Sequence, residues 1–198
     1  SLRCTSEVEP LAVLWSQALK TSSTTYDLVA MISNKNIDNA SHNISYTFSV
    51  YNVQGEAIGE IKGITLAPVD GDFPIIKQSI GISQTPSKVT LSIEDGPHYK
   101  VHEKPTSPTL RITNEHYEPG NLPRVYATIT NTKRTTVSNL PIKVVLYDEN
   151  NNAYAVGETV IPRLDKEETK EVSFTWDNPL PFAPTKIRVY PIFDPFIA

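Results

Sequence analysis

Four short phrases of this chain recur in the same order, and this repetition limits the fold more than any other feature. YDLVAMISN (26–34) aligns with RVYATITN (124–131), setting Ala30 over Ala127, Ile32 over Ile129 and Asn34 over Asn131, 97 positions on. FSVYNVQGEAIGE (48–60) aligns with VVLYDENNNAYAVGE (144–158), with Tyr51 over Tyr147 and Ala57 over Ala153, 96 positions on. PSKVTLSI (86–93) aligns with PTKIRVYP (184–191), and PLAVLW (10–15) with PTLRIT (108–113), each at 98. Offsets that drift by so little across four phrases imply one supersecondary unit written twice. The 198 residues divide accordingly into two small domains.

Each phrase carries the period of a strand. Ile44, Tyr46, Phe48 and Val50 alternate with Ser45, Thr47 and Ser49. Leu140, Ile142, Val144 and Leu146 repeat the pattern, as do Val172, Phe174 and Trp176. A period of two places one side of a strand on a core and the other in water. Turn residues separate the runs: Val-Gln-Gly at 53–55, Asp-Gly-Asp at 70–72, three asparagines at 150–152 and Asn-Pro at 178–179. The 16 prolines and single methionine, beside many Thr, Val, Ile and Tyr, agree with strands and turns. A short helix over 7–19 competes with a strand there, and the match to 108–113 favours the strand. The expected fold is all-β: two tandem immunoglobulin-like antiparallel β-sandwiches of about seven strands each. Residues 1–94 form the first copy, 95–108 a Pro-rich connector and 109–198 the second.

Charge and cysteine content narrow the function classes. Eighteen Lys and Arg against 22 Asp and Glu give a net charge of −4, with no basic stripe for nucleic acid or an anionic membrane. The one cysteine, Cys4, excludes an internal disulfide and a multi-cysteine metal framework. Arg3 occupies the position where a lipoprotein site wants a small residue. No apolar run reaches the roughly 20 residues that cross a bilayer as a helix. No leader is visible, and a leader or anchor beyond Ser1 fits the expectations below.

The phrases Phe48-Ser49-Val50-Tyr51-Asn52 and Val144-Val145-Leu146-Tyr147-Asp148 resemble the F-x-L-Y-D phrase of a family of small bacterial and archaeal immunoglobulin-like domains. In that family the phrase is a strand leading into an Asp-x-x-Gly turn. A later stretch of the family resembles Leu164-Asp165-Lys166-Glu167-Glu168-Thr169 running into Val172 and Phe174. The first copy has Val and Asn where Leu and Asp are usual; the second has Val for Phe and Asn for Gly. The resemblance implies a β-sandwich outside the cytoplasmic membrane of a bacterium or archaeon, anchored or secreted, without a catalytic site.

Each candidate site has a plainer competing reading. Residues 148–152 space oxygens as a calcium loop does, but Ala153 and Thr159 stand where such a loop needs Gly and Glu. A hairpin turn explains the asparagines more simply. His98 and His102 stand four apart beside Glu103, and His116 lies between Glu115 and Glu118; zinc needs three or four convergent ligands. The sequence leaves open whether His98 and His102 bind metal. Asp70 and Asp72, flanked by Gly71 and Pro74, read as a turn before they read as an acid/base pair. No nucleophile elbow, zinc-protease motif or phosphate loop is present. Asn39-Ala40-Ser41 and Asn43-Ile44-Ser45 fit the glycosylation sequon. Trp15, Trp176 and the tyrosines offer material for a sugar platform, although the alternation places Trp176 in a core and leaves Tyr51 and Tyr147 outside it. The expectation is a non-catalytic extracytoplasmic spacer, scaffold or protein–protein contact module, without cofactor or metal. Its partner is a protein, not nucleic acid, and it meets a membrane only through an anchor outside this sequence. A carbohydrate-binding or adhesin module is the alternative.

Overall fold

The computed structural model describes residues 8–94, 98–100 and 110–196, and these residues are all-β. Seven strands come first: β1 (Ala12–Lys20), β2 (Thr25–Asn34), β3 (Asn39–Tyr51), β4 (Ala57–Ala67), β5 (Gly71–Gly81), β6 (Lys88–Glu94) and β7 (His98–Lys100). Six follow: β8 (Leu110–Glu118), β9 (Arg124–Asn131), β10 (Val137–Tyr147), β11 (Ala153–Leu164), β12 (Thr169–Thr175) and β13 (Lys186–Pro191). The stretch around Trp15, where a helix competed with a strand, is β1.

The pairing is antiparallel throughout. Sheet β1-β2-β5 faces sheet β4-β3-β6, and sheet β8-β9-β12 faces sheet β11-β10-β13. Strands β8 to β13 therefore pair in the same order as β1 to β6. Period-two alternation fills each sandwich. Leu28, Ala30 and Ile32 of β2 meet Ile44, Phe48 and Val50 of β3. Val125, Ala127 and Ile129 of β9 meet Ile142, Val144 and Leu146 of β10. The opposite parity of β3, Ser45, Thr47 and Ser49, lies outside the fully buried set, as a solvated outer face requires.

Two strands break the simple alternation. Residues 26–32 of β2 are buried without interruption, and so are residues 144–147 of β10. The second faces of these strands meet in a third core: Val29, Met31 and Ile76 pack with Val145, Tyr147, Ala153 and Val156, and Trp15, Leu19 and Tyr190 rim them. The two sandwiches thus stack face to face, giving four sheets in series with apolar layers between neighbours. Burial of each large side chain in this junction stabilises the stack by about 1.5–3 kcal/mol. Tyr147, expected outside a core, is 8% exposed here, because the face of β10 that would have met water meets the other sandwich.

Both ends of the described chain lie by the turn between β4 and β5. The Glu9 amide donates to Asn36 Oδ1 at 2.9 Å, and the Asp70 amide donates to the Asn36 carbonyl at 3.0 Å. Residues 189–192 line a cleft against residues 68–73, and Ile192 is buried in the first sandwich's core. Part of the stretch expected as a connector is strand. Glu94 pairs with Ser45 and His98 with Ser41, so β7 continues the register of β6 along β3.

Candidate functional site

The phrase at 148–152 is a turn held by its first side chain. Asp148 Oδ1 accepts the Asn150 amide at 2.9 Å and the Asn152 amide at 2.8 Å. These donors hold its carboxyl below the usual aspartate range, the Asn152 amide contributing most. Asn52 repeats the arrangement, its Oδ1 accepting the Gln54 amide at 3.0 Å and the Glu56 amide at 2.9 Å. Gly55 at φ 82° and Asn151 at φ 66° occupy the left-handed position that both turns require, which explains the asparagine in the second.

The other candidates scatter. Asp70, at φ 44°, lies in the β4–β5 turn and Asp72 in the first residues of β5, paired with Ser33; both are exposed. His98 lies in β7, while His102, Glu103 and Cys4 fall outside the described residues. No group of three or more His, Cys, Asp or Glu that could hold a metal ion occurs among the described residues. His116 stacks on Tyr126 at 5.0 Å with the rings 15° apart, and its Nδ1 lies 2.9 Å from the Asn114 carbonyl. Asn39 donates from Nδ2 to Asp38 at 2.8 Å, and Asn43 is exposed at φ 51°. Trp15 packs on the junction core, and Trp176 is half-buried with its Nε1 donating to the Val156 carbonyl at 2.9 Å. Tyr51 is half-buried; its carbonyl accepts the Ser87 amide at 2.8 Å, as the Tyr147 carbonyl accepts the Thr185 amide at 3.0 Å.

Sequence reasoning passed over three features. Asn34 and Asn131, 1% and 0% exposed, are buried corner posts. Asn34 Nδ2 donates to the carbonyls of Asn39 (2.9 Å) and Pro68 (2.8 Å), and its Oδ1 accepts the Asn36 amide at 3.0 Å. Asn131 Nδ2 donates to Thr135 (2.9 Å), Leu164 (3.1 Å) and Asp165 (3.0 Å), and its Oδ1 accepts the Lys133 amide at 2.9 Å. Lys143 lies between the sandwiches with its side chain 13% exposed. Its Nζ donates to the Pro74 carbonyl at 3.0 Å and stands 3.5 Å from Glu158. Burial pushes the Lys143 ammonium below its usual range, with Glu158 opposing. Asp27, 4% exposed, accepts the Ser79 amide at 2.8 Å, and burial pushes its carboxyl up despite that bond. The matched spacing of Asn34 and Asn131 was the one signal in the sequence for any of these.

No protein-family model matches the chain, and no curated protein matches it. Among solved structures it is similar to red sea bream transglutaminase, with 9% sequence identity and a TM-score of 0.29. That alignment covers 94% of this chain and 30% of the transglutaminase chain.

Proposed function

We propose that the chain is a non-catalytic scaffold or protein-contact module, built from two copies of one immunoglobulin-like sandwich and displayed outside the cytoplasmic membrane of a bacterium or archaeon. The observation that carries this reading is the apolar junction of Val29, Met31, Ile76, Val145, Tyr147 and Val156, which makes one block of two sandwiches. A block of this kind holds its outer faces and edge strands at fixed spacing, as a scaffold must. Duplication is supported by the common pairing order and by the matched hydrogen bonds of Asn34 with Asn131 and of Asn52 with Asp148. The envelope location and the anchor rest on the resemblance to F-x-L-Y-D domains.

The test is protease treatment of intact cells carrying the native protein. Cleavage within 95–109 in whole cells supports display outside; full protection that disappears on lysis overturns it. One observation favours the sugar-binding alternative: Tyr126 and His116 stack on an outer face with Arg124 Nη1 3.4 Å from the Tyr126 hydroxyl. A glycan array with hits that Tyr126→Ala abolishes would select that reading, and an array without hits dismisses it.

A further inference from the structure

Strand β4 is an edge strand: it pairs with β3 alone among the described residues. An open edge offers a row of backbone donors and acceptors to any chain that can lie against it. The sequence along this edge, Ile58-Gly59-Glu60-Ile61-Lys62-Gly63-Ile64, reads the same from both ends except at Glu60 and Lys62, which carry opposite charges. In an antiparallel pair centred on Ile61, such a strand meets itself in register. Glu60 then faces Lys62 of the second copy, Lys62 faces Glu60, each Gly59 faces a Gly63, and Ile64 lies opposite Ile58.

We propose that β4 is a homodimer edge, on which a second copy of this chain adds its own β4 antiparallel about Ile61. The geometry is isologous, as a two-fold axis demands: each residue contacts the partner of its own mirror position. Glu60 and Lys62 side chains are 60% and 75% exposed and stand 3.2 Å apart within the strand, ready to exchange into two cross-strand pairs. Ile64 is 66% exposed at one end of this edge, while Ile58 at the other end packs on the first sandwich's core, so the charge pairs and the backbone ladder carry the contact. The corresponding edge of the second sandwich lacks these features. Around Gly157, β11 reads Tyr-Ala-Val-Gly-Glu-Thr-Val without charge symmetry, and Pro162 removes a backbone donor from it. The contact area of one strand pair is small, which makes the dimer weak and concentration-dependent.

This inference deepens the scaffold reading by naming a partner, and it fails separately from it. The experiment is sedimentation of the full chain up to about 1 mM, a concentration that captures weak complexes, with Glu60→Lys and Lys62→Glu beside the wild type. The expected results are a wild-type dimer, monomers for both single variants, and a heterodimer when the two variants are mixed, because Lys-Ile-Lys then faces Glu-Ile-Glu. Both side chains lie in solvent, so matching melting temperatures check that the variants fold. A wild type that stays monomeric, single variants that dimerise as well as it does, or a mixture that fails to recover the dimer each overturn the β4 edge. None of these outcomes touches the intact-cell test, on which the scaffold's location stands or falls.

Discussion

Asn34 and Asn131 each do with one side chain what a stretch of ladder would otherwise do, holding the chain where it passes from one sheet to the other. Replacing either by Ala strands two or more carbonyls and an amide at buried positions. We expect losses of about 3 kcal/mol or more for each in urea denaturation, whereas Val53→Ala, 78% exposed in a turn, should change little. Asp27 acts in the opposite sense. Its folded-state pKa lies above the unfolded value of 3.8, so its contribution is fully present below that value and is lost as pH rises through the folded one. Asp27→Asn should therefore raise stability at pH 7, with the gain shrinking towards pH 3; urea midpoints across that range measure it. In the sequence, the Asn pair was visible as an alignment without a role. Asp27 was invisible, because its partner Ser79 is 52 positions away and only the β2–β5 pairing joins them.

At the scale of the strand, alternation announced where each sandwich core lies. It was less informative for β2 and β10, where the runs Leu28-Val29-Ala30-Met31-Ile32 and Val144-Val145-Leu146-Tyr147 contain no polar residue. A run of that kind belongs to a strand covered on both faces; aligning Tyr147 with Tyr51 hid this, since the two sandwiches use that face differently. Lys143 interrupts the apolar face of β10 at the junction, and its acceptor is a backbone carbonyl that no pattern of side chains reveals. Desolvation of its ammonium offsets much of what these contacts contribute to stability. Because Glu158, 39% exposed, stays in reach of water, Lys143→Met should cost about 1–3 kcal/mol, chiefly the hydrogen bond to Pro74, while altering the angle between the sandwiches, read from residual dipolar couplings. Unchanged couplings would show that the apolar contacts alone set the angle.

Across the whole molecule, three cores in series tie the two halves into one folding unit. Wild type should melt in a single calorimetric transition, and Val145→Asp, which puts a carboxylate into the junction, should split it in two. A single transition retained by the variant would mean that the halves are coupled elsewhere. The stack also decides how the molecule answers a pull. With Glu9 tied to Asn36, Asn36 to Asp70, and residues 68–73 facing 189–192, tension applied through residues 9 and 192 crosses one corner of the block. The remaining sheets, spaced about 10 Å apart, are bypassed by that line of force. Under tension the block adds almost no length until strands peel away, so it behaves as a knot on a tether and not as a link in it.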